Sequence, residues 1–369
     1  MNIINLNDNS DKLYYVGGVV RDFLLGKESR DIDIVYEGNA VDYCRKFGEV
    51  IRENPEFGTI RVKIDGQEVD FASTRCETYP KPGHLPAAAK FGCSLKEDVL
   101  RRDFTVNALA MRVSDGEIID YAGGRQDLEN KKLRVLHDRS FIDDPARIIR
   151  GLKFSARFGF ELEEHTKALQ DEYLANVNRD MCYKRIKKEL EEIFGSEGRM
   201  QNAFEKFINQ NIYKLITPDE VKLPDVNIEK LTCDYPCPLS WIVYAGVLGD
   251  LSILGLTRAE KKILDDAAAA EKLNLKTDLE IYKAFENASV EAVLLYAARK
   301  DEKIARHYLD NLRGIKLEIN GNDLKNLNIK PSAHYGEIFD FVLGKKLSNP
   351  ALTKPDELEL AKSQVFSGP

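Results

Sequence analysis

The chain of 369 residues is poor in several residue types, and each shortage narrows what it can be. Six cysteines, at 44, 76, 93, 182, 233 and 237, are too sparse for a disulfide-built domain. Cys233 and Cys237 have no second ligand pair near them, which argues against a structural zinc. No apolar run reaches 18 residues, so no membrane span is expected. The opening MNIINLNDNSDKLYY lacks the basic and apolar regions of a signal peptide, and a reduced, cytoplasmic setting is the expectation. With only five histidines, His137-Asp138 lacks the further ligands of a phosphohydrolase metal site and reads as a strand-to-helix junction. Basic residues are also outnumbered: 54 Lys plus Arg against 61 Asp plus Glu leave a charge of −7. That excludes a uniformly basic nucleic-acid coat, though not a local basic face.

What is present describes a globular chain. Hydrophobic residues make up 43% and charged residues 31%, enough to bury the cores of two or three domains. Residues 13 to about 136 predict a mixed sheet with helices. Strand-like runs are Leu13–Val16, Ile32–Tyr36, Thr59–Ile64, Glu68–Ser73, Leu109–Val113 and Glu117–Tyr121, with helices at Val19–Leu25 and Ala40–Phe47. The proline- and glycine-bearing stretch 75–98 reads as a long irregular loop, which in a compact domain is usually functional. After Asp143 the pattern turns helical. Asp144-Pro145 predicts a helix start with Asp as cap, Arg185–Phe194 is amphipathic, and 259–273 and 289–312 predict helices. Asn320-Gly321-Asn322 and Lys330-Pro331-Ser332 read as turns. Trp241 and Tyr244 read as core rather than as a base-stacking platform.

Three clusters carry chemistry. The first is Gly17-Gly18-Val19-Val20-Arg21-Asp22, followed by Asp31-Ile32-Asp33. A Gly-Gly pair between strand and helix lets backbone N–H groups approach a phosphate, and Arg21 on the helix adds charge. Residues i and i+2 of a strand share a face, so Asp31 and Asp33 can converge on a hard cation such as Mg²⁺. Asp70, in Glu68-Val69-Asp70-Phe71, is the candidate third carboxylate. The second cluster, Arg101-Arg102-Asp103-Phe104-Thr105-Val106-Asn107, offers guanidinium forks for phosphate or ribose oxygens and a carboxylate for a ribose hydroxyl. The third, Asp143-Asp144-Pro145-Ala146-Arg147-Ile148-Ile149-Arg150, places Asp144 and Arg147 on one helix face. Each alone is commonplace; their order points to nucleotidyl transfer.

Together these clusters resemble the class II (bacterial-type) tRNA nucleotidyltransferases, the CCA-adding enzymes, and their poly(A) polymerase relatives. The likeness also takes in ETYPKPGHLP, the DYAGG linker, Arg185…Glu189 and INGNDLKNLNIKPSAHYG. It implies an α+β, polymerase-β-like head with a mixed sheet over 1–140, then an all-helical neck (141–200, base selection), body (201–310) and tail (311–369, tRNA contact). It implies that Asp31 and Asp33 bind catalytic Mg²⁺ and that Arg102 and Asp103 meet the ribose. The nucleotide site is expected to comprise Gly17, Gly18, Arg21, Arg102, Asp103, Asn107, Asp144, Arg147 and Arg150. The family's Glu-Asp-x-x-Arg base-reading motif appears here as Asp143-Asp144-x-x-Arg147. Its R-x-x-R-F arginine is replaced by Lys153, which keeps the charge and loses the fork.

The base choice follows from donor and acceptor order. Cytosine and adenine each pair an exocyclic amino donor with a ring-nitrogen acceptor; Asp144 can accept from the first and Arg147 donate to the second. Uracil and guanine present the reverse order and would leave buried polar groups unpaired, at about 1–3 kcal/mol each. CTP and ATP are therefore the expected substrates, with CCA addition to the tRNA acceptor end as the reading. Addition of A alone, by a tRNA nucleotidyltransferase or a poly(A) polymerase, is the alternative; the long 75–98 segment disfavours a CC-only enzyme. Basic windows at 139–157 and 179–188 are candidates for RNA phosphates, the second through Arg179, Lys184, Arg185, Lys187 and Lys188. No membrane and no obligatory protein partner is inferred.

Overall fold

The computed structural model describes residues 6, 8–29, 31–195, 200–327, 329 and 334–366. The chain divides into two compact units, Met1–Ile193 with Glu205–Asp219 and Phe194–Phe204 with Glu220–Pro369.

The first unit opens with β1 (Leu13–Val16), α1 (Gly18–Leu24), β2 (Asp33–Tyr36) and α2 (Ala40–Cys44). There follow β3 (Glu49–Asn54), β4 (Thr59–Ile64), β5 (Gln67–Ser73), β6 (Arg75–Thr78), β7 (Ala87–Phe91) and α3 (Leu95–Leu100). After these come β8 (Leu109–Arg112) and β9 (Ile118–Asp120). Seven of the strands form one sheet in the order β3-β4-β5-β2-β1-β8-β9. Strict alternation builds it: β4 buries Ile60, Val62 and Ile64 while Arg61 and Lys63 stay outside. Within this sheet β2 and β5 pair in parallel, with Asp33 opposite Asp70. One face is closed by Leu95 and Val99 of α3, packed on Tyr14, Val16, Val35 and Ala110.

The structure departs from the sequence reading in three places here. Strand β3 was not expected, and it is an edge strand exposed almost throughout, so no buried face marks it. The stretch 75–98 is no irregular loop. It holds the antiparallel hairpin β6–β7 and the start of α3, whose Ser94–Glu97 capping box fixes its first turn. Asp144 is not the cap of the helix that follows it. A short α4 (Gly124–Glu129) and α5 (Ser140–Asp143) precede α6 (Ala146–Phe158); Pro145 takes the cap position, and of the first-turn N–H groups the Asp144 side chain accepts that of Ala146, at 3.3 Å. Helices α7 (Glu164–Ala175) and α8 (Tyr183–Phe194) complete the part of this unit that matters for the site.

The second unit is helical throughout its described elements. The predicted helix 289–312 breaks into Val290–Arg299 and Glu302–His307, because Asp301 caps the second at Ile304 N. Asn320-Gly321-Asn322 is a helix start and not a free turn: Asn320 caps Gly321–Asn326 in a capping box. The Lys330-Pro331-Ser332 turn lies outside the described residues. Trp241 and Tyr244 are buried, as expected; Tyr244 stacks on Phe194 at 5.0 Å. A buried Lys346–Glu357 pair ties the last two helices, with Glu357 also accepting the Glu318 and Ile319 N–H groups. No described helix is long and apolar enough to cross a membrane.

Candidate active site

Strand β1 runs straight into the Gly17-Gly18 turn. Gly17 has φ +71°, and a Cβ there would stand 2.9 Å from Arg102 Nη1, so only glycine lets that guanidinium lie across the turn. Arg102 is anchored through Nη2 to Asp98 at 3.0 Å, while its buried Nε has no partner. Such an orphaned donor beside a glycine turn is suited to an anion. Asp98 is fully buried and also holds Arg101 at 2.8 Å and the Arg75 N–H at 3.0 Å. Burial works to raise the Asp98 carboxyl, but Arg102 and Arg101 overcome it and keep it below its ordinary value.

Arg21, expected to bind nucleotide, is turned into the protein. Its Nε and Nη2 donate to Asp22, its Nη1 donates to Asn107 Oδ1 at 2.7 Å, and its guanidinium lies 4.6 Å from the Phe158 ring. Asn107 in turn donates to Asp103 Oδ1 at 2.9 Å. Asp103 also receives the Phe104 N–H, and Arg150 Nε and Nη2 reach its other oxygen at 2.8 Å. Burial pushes its pKa up, but Arg150, Asn107 and the Phe104 N–H hold it at about 2. A ribose hydroxyl would have to share oxygens that already accept these donors.

The acidic side is built differently. Asp33 opens β2, whereas Asp31 lies in the bend before it; the two do not share a regular strand face as the spacing predicted. They are linked through Asp70, which faces Asp33 across the parallel pair. Asp31 and Asp70 line a recess of about 410 Å³ together with Lys27, Ser29 and Arg61. Asp33 is open to solvent at its strand end, yet its carboxyl is raised, first by partial desolvation and then by Asp70 and Asp31, with Arg102 opposing. Asp70, the candidate third acid, is clamped by Arg61, whose Nε and Nη2 each reach a carboxylate oxygen at 2.7 Å. Three neighbouring carboxylates, one of them with its charged form disfavoured, are a donor set matched to a hard divalent cation.

A second cleft, of about 720 Å³, extends from Gly17 and Arg102 to Asp144, Arg147 and Arg185. Arg147 is buried and fully engaged: Nη1 donates to Ser140 Oγ at 2.6 Å, and Nη2 donates to Tyr79 OH at 3.2 Å and Arg101 O at 2.9 Å. Its Nε stands 3.7 Å from Asp144 Oδ2. That same oxygen accepts from Arg185 Nη2. Burial raises the Asp144 carboxyl, against Arg185, Arg147 and Arg150. Arg185, expected on an RNA-facing surface, is thus brought to the Asp144/Arg147 pair. Lys187 is half-buried beside Glu191, and Arg179 is half-buried with Nη1 unpartnered, while Lys184 and Lys188 are exposed. Lys153 bonds Glu189 at 2.9 Å and Glu192 at 2.6 Å.

Tyr79, Ser140 and Asp98 were missed as site residues. Asp98 had a readable signal, since it stands three and four residues before two arginines on one helix. Tyr79 had none, because its contact with Arg147 spans 68 positions. The hairpin tip is also tied to this region: Gly83 N–H donates to Asp143 O at 3.1 Å, and Cys182 N–H donates to Gly83 O at 2.8 Å.

Residues 13–134 match the poly(A) polymerase head domain. The chain is 32% identical over 395 residues to the A-adding tRNA nucleotidyltransferase of Geobacter sulfurreducens, covering 95% of this chain and 44% of that protein. It is 49% identical over 165 residues to the A-adding tRNA nucleotidyltransferase of Aquifex aeolicus, covering 43% of this chain and 20% of that protein. The chain therefore spans less than half the length of either relative. Among solved structures, a CCA-adding enzyme in apo form superposes with a TM-score of 0.79 at 26% identity, covering 96% of this chain and 92% of the other. The mixed sheet is accordingly a polymerase-β-like head, followed by helices as in that enzyme.

Proposed function

We propose that this chain adds nucleotides to the 3′ end of tRNA, releasing pyrophosphate; the match of residues 13–134 to the poly(A) polymerase head domain and the likeness to tRNA nucleotidyltransferases support this reading. The observation that carries the reading is the placement of a buried Asp144/Arg147 pair in the same cleft as the glycine turn and the half-satisfied Arg102. Phosphate, ribose and base can be met along one line. Mg²⁺ ions, held by Asp31 and Asp33 with Asp70 beside them, would supply activation of the RNA 3′-hydroxyl and charge neutralisation on the leaving phosphates.

The protein's own groups do the rest. Arg102 offers its free Nε to a phosphate oxygen, and the Gly17-Gly18 backbone admits the triphosphate closely. Asp103 and Asn107, locked by Arg150 and Arg21, form a rigid floor under the sugar. Asp144 accepts from the exocyclic amino group, and Arg147 gives the ring nitrogen the donor that now serves the Tyr79 hydroxyl. Lys184 and Lys188 meet RNA phosphates, and the tail, residues 311–369, carries further contact to the tRNA.

This chemistry admits both CTP and ATP, and full CCA addition is the reading it supports. A second reading, addition of A alone, is favoured by the names of the Geobacter and Aquifex relatives. Transcripts ending just before CCA, and others ending in CC, distinguish the two. Incorporation of labelled CTP on the first and ATP on the second supports CCA addition; ATP on the second alone supports A addition. No Mg²⁺-dependent extension of either overturns the proposal.

A further inference from the structure

Beside the second cleft but outside its lining, three metal-ligating side chains converge from different elements. Cys76 comes from β6, Cys93 follows β7, and Glu97 lies in the first turn of α3; their sulfur and oxygen atoms all lie within 4.8 Å of one another. The thiols are free cysteines, Cys93 buried and Cys76 half-buried. The other four cysteines join no such group among the described residues. We propose that Cys76, Cys93 and Glu97 form a site for a thiophilic divalent cation of the Zn²⁺ class, separate from the hard-cation basin of Asp31 and Asp33.

The donor set argues for that class. Two sulfurs and one carboxylate suit Zn²⁺ or Cd²⁺ and leave one tetrahedral position for water, whereas Mg²⁺ wants oxygen alone. Binding replaces two S–H bonds by two metal–sulfur bonds, and the two protons pass to solvent. The carboxylate needs no such exchange: the Ser94 hydroxyl and N–H, both bonded to Glu97 Oε2, hold its pKa down. Burial, and then the Cys76 thiol beside it, pushes the Cys93 thiol up to about 12, so a cation with strong sulfur affinity is required. Its structural effect is local. Cys76 sits between Arg75 and Glu77, and α3 carries the Asp98 that holds Arg75, Arg101 and Arg102; a metal would staple this hairpin strand to that helix.

Cd²⁺ titration of the full chain in excess Mg²⁺, followed by the near-ultraviolet thiolate-to-cadmium absorbance, tests this. One equivalent is expected to bind, to be displaced by Zn²⁺, and to be retained in a Cys233→Ser/Cys237→Ser variant. Cys76→Ser and Cys93→Ser should each lose the band, and Glu97→Gln should weaken binding by roughly tenfold or more. Cys76→Ser is the decisive variant, because its side chain is half-exposed and its loss leaves the core intact. A full-strength band in Cys76→Ser, a band lost only with Cys233 and Cys237, or undiminished affinity in Glu97→Gln would overturn the three-ligand site.

Discussion

The acidic basin and the base-reading pair lie in the same compact unit, yet they are finished to different degrees. Around Arg147 and Asp144 every charge is buried and already answered by protein: Ser140, Tyr79, Arg101 and Arg185 supply the partners. Around Asp31 and Asp33 the carboxylates are exposed, and among the described residues only Asp70 has a tight clamp. Under the proposed function, selectivity rests on groups arranged before any ligand arrives, which lowers the reorganisation needed at binding. The acidic basin is left electrostatically incomplete, which suits the cations proposed for it.

The sharpest way to break this contrast is Asp33→Ala. Turnover should fall on the order of 10²–10³-fold or more, with tRNA affinity changed only a few-fold. Equal loss of both, in single-turnover extension and filter binding, would mean that the basin holds RNA and not metal. Arg185→Ala should come next. It removes the strongest partner of a buried carboxylate, costing about 1–3 kcal/mol of stability and narrowing the preference for ATP or CTP over GTP and UTP. Thermal melting and competitive incorporation would show it; selectivity intact with stability lost would reduce Arg185 to a strut.

Asp33→Asn tests the other side by pH. The folded state raises this carboxyl, so it holds its proton more tightly folded than unfolded. Stability is therefore lost as pH rises from the ordinary carboxylate value, about 4, through the raised one, and stays lost above. Without divalent ions the variant should melt higher than the parent at neutral pH, match it below about pH 3, and lose its advantage when Mg²⁺ is added. A lower melting temperature at neutral pH would contradict a carboxyl raised by desolvation and by its acidic neighbours. The smallest effect is expected from Lys184→Ala with Lys188→Ala: stability within about 0.5 kcal/mol, and a tRNA salt dependence shallower by about one phosphate contact per lysine.

The sequence was readable where one physical signal dominated. Strands β4 and β5 show alternation, and the Asp-Asp-Pro-Ala-Arg stretch shows the spacing that puts Asp144 near Arg147. It was misread where the signal was absent or shared. Edge strand β3 has no buried face, and the hairpin β6–β7 carries the prolines and glycine of an open loop around Tyr79–Pro86. Arg185 looked like one more cation on a wet helix face. Only its tandem with Glu189, one turn on and bonded to Arg150 and Lys153, marks that face as turned toward α6. Arg21 and Asn107 were placed in the right neighbourhood, but nothing local shows that they bind each other.

The parallel pairing that sets Asp33 opposite Asp70 has a kinetic corollary. These acids are delivered by strands that meet only after the excursion through α2, β3 and β4 has closed, and a slip of one position would seat an isoleucine or a valine where an acid should stand. The acidic set is therefore complete only once the central strands have zipped in the right register: the chain must finish its middle before it can be armed.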